Sequence, residues 1–210
     1  MRLTMRCPTP SAAFDSPPGL VGIVHDSPPQ RSVLFFNELH MAKRLRRQMR
    51  QGNYIVTLDR DFEAVIAACA GHREDRWHLT WITPRTMHAY AELFDAGYAH
   101  SFEVWNERGE LAGGGYGVAI GRVFITESQF SREPNTSKMG FAALNWHLAH
   151  WRFAFNDGKL MTPTCHDMGF SEIPRDEYLR RLARAEHQPD RLGRWQVESE
   201  LKAVADWQPV

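Results

Sequence analysis

The chain has 210 residues, and its 25 Lys+Arg balance 25 Asp+Glu. That length supports one core of ordinary size. The charge balance excludes a molecule drawn as a whole to nucleic acid or to an anionic membrane, so any such role must rest on a local cluster. No stretch reaches the roughly 18 apolar residues of a membrane span, and MRLTMRCPTPSAAFDSPP lacks an apolar targeting segment. Cys7, Cys69 and Cys165 are odd in number and widely spaced, with no C-x-x-C pair. This favours a reducing compartment and argues against a thiolate zinc site. The chain reads as soluble and cytoplasmic, with neither membrane nor metal as a partner.

Residues 1–30 are proline-rich and without periodicity, which suggests an extended arm ahead of one domain at 31–210. SVLFF (32–36) is a strand signal. Asn37 is a good N-cap for a helix running to Gly52. YIVTLD follows as a strand, then a helix starting near Asp59 or Asp61, and a polar loop over 71–79. Thr83-Pro84 opens a helix over 84–96 that Gly97 ends. HSFEVWN, ELAGGGYGVAI and RVFITES read as three strands with turns at Arg108-Gly109 and Gly121. SKMGFAALNWHLAHW is a helix, WRFAFN a strand edge, and RDEYLRRLARA a late amphipathic helix. Helices on a central antiparallel meander make an α+β domain.

Several groups could carry chemistry. Lys43, Arg44, Arg46, Arg47 and Arg50 give the first helix a broad basic face. That face fits a phosphate track or a solvated surface with cations near the helix C-terminus. Gly113-Gly114-Gly115-Tyr116-Gly117 within a strand implies a bulge, which either bends the sheet or lets a ligand approach the backbone. It is not a P-loop, because no Gly-Lys-Ser/Thr follows. His100, His147, His150 and His166 lack metal-ligand spacing and read as surface or core residues. No G-x-S-x-G elbow is present.

Taken in order, SVLFFNELHMAKRLRR, Thr80-Trp81-Ile82-Thr83, AYAELFDAGYAHSFEVW, LAGGGYG, ESQFSR, NTSK and SEIPRDEYL resemble the leucyl/phenylalanyl-tRNA–protein transferases over about residues 27–182. The resemblance implies an acetyltransferase-like (GNAT-type) fold. It also implies transfer of an amino acid from aminoacyl-tRNA to a protein N-terminus, usually one beginning with Arg or Lys, which marks the protein for degradation. By the same resemblance Glu127 would hold an ammonium or a ribose hydroxyl, with Ser128 beside it. Asn135-Thr136-Ser137-Lys138 would cap the helix forming the other pocket wall. Phe141, Leu144 and Leu148 would line an apolar pocket, although their i, i+3, i+7 spacing also suits ordinary core. The basic helix would grip the acceptor stem. No cofactor is required, since an aminoacyl ester is already activated.

The chain departs from the family pattern at three places. The family's aromatic-rich segment with paired Trp precedes a Ser-Pro; here Ser27-Pro28 follows the proline-rich stretch, with no Trp before Trp77. The family's Asp-Cys-Gln becomes Asp157-Gly158-Lys159. On a strand these ends share a face, so Asp157 and Lys159 are expected to pair and to favour a charged lysine suited to an oxyanion or phosphate. Asn-Asp-Gly is also a turn signal. In the pocket, Gly115 stands for Met or Leu, Gln129 for Met and Asn156 for an aliphatic residue, which suggests a donor amino acid larger or more polar than Leu. The expectation is an aminoacyl-tRNA-dependent aminoacyltransferase acting on an amine, either a protein N-terminus or a small molecule or peptide. Asp157, Lys159, Glu127 and Ser128 would surround the ester, and Trp81, Gly115, Gln129, Phe141, Leu144, Leu148 and Asn156 would shape the pocket. The alternatives are another activated donor such as a CoA thioester, for which no Q/R-x-x-G-x-G/A loop occurs, or a non-catalytic binding module.

Overall fold

A computed structural model describes residues 28–71 and 80–208. The expected arm up to residue 27 and the loop from 72 to 79 lie outside them. The strands are β1 (Gln30–Leu34), β2 (Tyr54–Leu58), β3 (Ala99–Asn106), β4 (Leu111–Ile120), β5 (Val123–Ser131), β6 (Phe155–Lys159) and β7 (Ser171–Pro174). The helices are α1 (Lys43–Arg50), α2 (Phe62–Ala70), α3 (Pro84–Asp95), α4 (Thr136–His150), α5 (Pro163–Asp167), α6 (Arg175–Ala185) and α7 (Leu201–Asp206). These seven strands form one sheet in the order β2-β3-β4-β5-β6-β1-β7. The antiparallel meander expected from sequence is present as β3 to β5, and β2 joins its edge antiparallel to β3. The sheet does not stop there. After α4 the chain returns as β6, parallel to β5, and β1 and β7 extend it antiparallel. The result is a mixed sheet with helices on both faces, an α+β architecture.

Capping explains several boundaries. The Asp61 carboxylate accepts from the Ala64 N–H at the start of α2. Thr83 caps α3 with Pro84 in its first turn, where a missing N–H costs nothing. Two expected boundaries are corrected. The helix does not begin at Asn37: Phe36–Glu38 form a single 3-10 turn and α1 starts at Lys43. Between them the His40 N–H donates to the Met168 carbonyl at 3.1 Å, so a tertiary bond outcompetes local helix. WRFAFN is not a sheet edge either. Arg152 turns the chain at φ 61°, and β6 then begins at Phe155 and lies between β5 and β1.

The two faces of the sheet hold separate cores. On one, Phe102, Val104 and Phe124 meet Met139, Phe141, Leu144 and Leu148 of α4, together with Trp195. On the other, α2 and α3 cover Tyr116 and Phe130, while α6 covers Val33, Val123 and Phe155. The segment after α6 closes the first core. The Trp195 ring stacks on His100 at 3.5 Å, and the Trp195 backbone N–H donates to the buried Asp59 carboxylate at 2.6 Å. The Glu198 N–H donates to His147 Nε2 at 2.8 Å, and the opposite ring nitrogen lies 2.7 Å from the Ala143 carbonyl. His147 is therefore neutral, with its proton on Nδ1. Burial holds its pKa below the ordinary imidazole value. His100 and His147 are core residues, whereas His150 and His166 are exposed.

Beyond the sheet ladders, one polar cluster ties β1, β6 and α6. Asp157 is fully buried. Arg31 donates to both of its oxygens, at 2.7 to 3.1 Å. The Tyr178 hydroxyl donates at 2.8 Å, as does the Lys159 backbone N–H.

Two outcomes follow for stability. Replacing Asp157 with Ala leaves the partly buried Arg31 guanidinium without its counter-ion and Tyr178 without its acceptor, and urea unfolding should show a loss of roughly 3 kcal/mol. His147 has a folded pKa below its unfolded one, so its contribution is complete above the unfolded value and declines as pH falls through it. Melting temperature should therefore drop as pH is lowered from about 7 to 5.5, with a smaller drop in His147→Gln. Buried Glu103, whose pKa burial pushes up, acts in the opposite sense at lower pH.

Candidate active site

The sheet opens where β5 and β6 part. The two strands pair only at Val123–Phe155, Phe124–Asn156 and Ile125–Asp157. Beyond that point β5 runs on to Ser131, while β6 is bent away at its end. Lys159 has φ 66°, and the Leu160 N–H donates back across it to the Gly158 carbonyl at 2.8 Å. This is a γ-turn, a strained position for a lysine. The Asn-Asp-Gly signal thus marks a turn one residue later than its own residues, because Asn156 and Asp157 stay in the ladder.

The same opening coincides with a bulge in β5. Tyr116 faces Ser128 and Gly117 faces Thr126, so Glu127 is the extra residue without a cross-strand partner. A bulge bends its strand and re-aims its side chains. Here it sends Glu127 toward Lys159, whose ammonium it binds across the gap. Glu127 is nearly enclosed, at 9% side-chain exposure, while Lys159 keeps 35%. The Lys159 ammonium also lies 5.6 Å from the centre of the Trp81 ring, and Trp81 is 47% exposed.

Aromatic side chains back this pair. The Tyr90 ring of α3 packs edge-on against Trp81 at 6.2 Å and against Tyr116 at 5.1 Å. Burial, and then the Glu127 carboxylate, push the Tyr90 phenol well above its ordinary range, leaving it a hydrogen-bond donor. Tyr116 is fully buried and its hydroxyl has no hydrogen-bond partner among the described residues. A buried polar atom left unpaired at a site is a place where a bound group can add a bond. Ser128, opposite Tyr116, shares this face of the sheet.

The other sequence-predicted residues divide. Asp157 does not pair with the Lys159 side chain: the positive φ at Lys159 breaks strand alternation, and only the lysine's backbone N–H reaches the carboxylate. Asn156 points to the opposite face, donating to Asn145 of α4 and accepting from Thr126, both structural bonds of the interior. Phe141, Leu144 and Leu148 lie within the α4 core at 2% exposure or less. The room expected beside Gly115 is filled, because a Cβ there would lie 2.7 Å from Phe102 Cζ and 2.8 Å from Gln129 Cγ. Gln129 thus packs over that glycine rather than into an enlarged pocket. Asn135 begins α4 at φ 67° but gives its side chain to Gln48 of α1; Ser131 supplies the bond to the Ser137 N–H instead.

The basic helix also splits in two. Arg46 donates to the Ala205 and Trp207 carbonyls at 2.6 and 2.8 Å, and Arg50 pairs with Asp206 at 2.7 Å. Both fasten α7. Lys43, Arg44 and Arg47 remain exposed. Arg44 and Arg47 line a cleft of about 350 Å³ with Gln48, Gln51, Asn53, Tyr54 and Pro134. A larger cleft of about 640 Å³, beside Phe35, Arg181 and Trp207, contains none of the candidate site residues expected from the sequence. Among the described residues, no group of three His, Cys, Asp or Glu could hold a metal.

Sequence reasoning missed Tyr90 and Tyr116 around the pair, and Arg31 and Tyr178 behind it. Both tyrosines near Glu127 fall inside motifs used for the resemblance, AYAELF and GGGYG, but as isolated aromatics they gave no separate signal. Arg31 and Tyr178 lie 126 and 21 residues from Asp157, a pairing that no local pattern encodes.

Comparison with known proteins relates the chain to a family of known transferases. The family model for leucyl/phenylalanyl-tRNA protein transferase matches residues 33–183, a stretch containing β5, β6 and every residue around the gap. Relatives bearing the name leucyl/phenylalanyl-tRNA–protein transferase include one from Alkalilimnicola ehrlichii, 42% identical over 85% of this chain and 69% of its own length. Another, from Desulfatibacillum aliphaticivorans, is 43% identical over 83% of this chain and 74% of its own. One from Pseudomonas fluorescens is 48% identical over 78% and 72%. The chain belongs to the leucyl/phenylalanyl-tRNA protein transferase family.

Proposed function

We propose that the chain moves an amino acid from an aminoacyl-tRNA to the N-terminal amine of a protein, within an acetyltransferase-like (GNAT-type) fold. The observation that carries the reading is the polar gap between β5 and β6 in a chain of this family. A parallel strand pair that parts near a bulge supports the finer fold assignment.

In this reading the ester enters the gap beside Trp81. The acceptor nitrogen attacks the ester carbonyl carbon, and charge collects on the carbonyl oxygen. The partly exposed Lys159 ammonium supplies a donor there, held in advance by Glu127 and by the turn at residue 159. As the intermediate collapses, the bond to the ribose oxygen breaks and an amide forms. Over the step one proton leaves the amine and one reaches the ribose oxygen, with the Tyr90 and Tyr116 hydroxyls and Ser128 as nearby polar groups. Asp157 acts at one remove, setting the position of Lys159 through its backbone N–H.

Phosphates of the acceptor stem would meet Lys43, Arg44 and Arg47, the exposed cations of α1 that are not engaged in holding α7. Replacing these three with Ala should weaken tRNA binding and flatten its salt dependence by about one unit of slope for each phosphate left unneutralised. Arg46→Ala and Arg50→Ala should instead lower the melting temperature, because they release α7. Filter binding across a salt series and thermal melts separate the two groups.

The direct test is transfer of each radiolabelled amino acid from bulk charged tRNA to a panel of peptide acceptors. Product with at least one donor–acceptor pair, reduced on the order of a hundredfold in Glu127→Gln, is the expected result. Tight tRNA binding with no product from any pair would point to a binding module instead.

A further inference from the structure

The polar cleft of about 350 Å³ at the end of α1 brings together groups that the fold itself does not use. Arg44 and Arg47 reach it from the helix, and Gln51 and Asn53 flank the turn that Gly52 makes at φ 77°. Both amide side chains are exposed. Among the described residues, none engages these amides or the two guanidinium groups. Gln48, at the same cleft, is by contrast occupied: it donates to the Pro134 carbonyl and accepts from Asn135.

One aromatic ring completes the lining. The Tyr54 hydroxyl donates to Glu133 at 2.7 Å, and the Asn106 amide donates to the other oxygen of that carboxylate at 2.8 Å. The ring is thus held at the cleft wall. A fixed ring beside free amides and cations is the combination that recognises unpaired RNA. A base stacks on the ring, amides that both donate and accept meet its edge, and guanidinium groups take the adjoining phosphate. The cleft is also separate from the gap. Ser131 lies about 13 Å along β5 from Glu127, and Pro134 of the cleft follows it in the next loop.

We infer that this cleft is a base-reading subsite for one unpaired nucleotide of the tRNA strand that carries the ester, set back from the terminal nucleotide. Its phosphate meets Arg44 and Arg47, and its base meets Tyr54, Gln51 and Asn53. The inference rests on the aminoacyl-tRNA reading of the gap and adds to the phosphate track of α1 a contact that depends on a base.

Fluorescence anisotropy with uncharged RNA hairpins tests it. Each hairpin carries the unpaired 3′ end of a tRNA, with one base at a time replaced by an abasic site. On the wild-type chain, one abasic position behind the terminal nucleotide should weaken binding about tenfold. In Gln51→Ala/Asn53→Ala the same abasic site should weaken it by about threefold, because stacking on Tyr54 remains. The melting temperature of this variant should match the wild type, since neither side chain bonds to the fold. Equal losses at every abasic position, or the same profile in wild type and variant, overturn the proposal and leave a phosphate track alone. Tighter binding of a glutamate-rich peptide than of the intact hairpin, lost in Arg44→Ala/Arg47→Ala, also overturns it and assigns the cleft to an acidic protein. Base-dependent binding by a chain that gives no product from any charged tRNA would support the subsite and reject the aminoacyltransferase reading. Transfer with a flat abasic profile would do the reverse.

Discussion

A single buried carboxylate organises the functional half of this molecule. Asp157 draws Arg31 from β1, Tyr178 from α6 and the backbone of Lys159 to one point. Its two oxygens receive donors from all three, so the charge is both neutralised and hydrogen-bonded, as the interior requires. The last paired residue of β6, opposite Ile125 of β5, is thereby fixed. Everything beyond it, from the parting of the strands to the lysine at the mouth, takes its geometry from that anchor. The site gains rigidity from behind rather than from the groups that face the ligand.

The other half of the design is economy of charge. The chain carries no net charge, and the basic helix, five cations in eight residues, is shared between two tasks. Arg46 and Arg50 satisfy carbonyls and a carboxylate of α7, while Lys43, Arg44 and Arg47 face solvent. The long arginine side chains suit this division, since a planar fork can bind several carbonyls at once. The carboxylates divide in the same way. Asp157, Glu103 and Asp59 are consumed by internal donors, whereas Glu127 is held in the gap by a partner that solvent can still reach.

What could be read from the chain before its structure depended on range. The meander β3–β5, the helix starts near Asp61 and at Thr83, and the long α4 follow local rules of capping, turn glycines and apolar spacing, and they appear where those rules put them. The start of α1 did not, because the His40 bond to Met168 crosses 128 residues. The parallel placement of β6 was equally invisible, since strand partners are set by packing and not by the strand's own residues. In the site, Glu127 and Lys159 were singled out, but their mutual bond was not. That bond needs both a bulge and a positive φ, and neither leaves a mark in periodicity. Gly115 misled for a related reason: a small residue in one strand reads as space, yet the neighbouring strand supplies Phe102 to fill it.

The bulge has a further consequence for chain length. From Val123 to Ser131, β5 spends nine residues opposite eight of β4, Gly113 to Ile120. Deleting Glu127 would let the ladder close into regular alternation with Tyr116 still opposite Ser128 and Gly117 still opposite Thr126. Both cores would then keep their residues, and the carboxylate in the gap would be lost. A one-residue slip of the whole strand would instead turn every side chain to the other face. The extra residue of β5 is thus an insertion that the two cores absorb and that serves to aim one carboxylate.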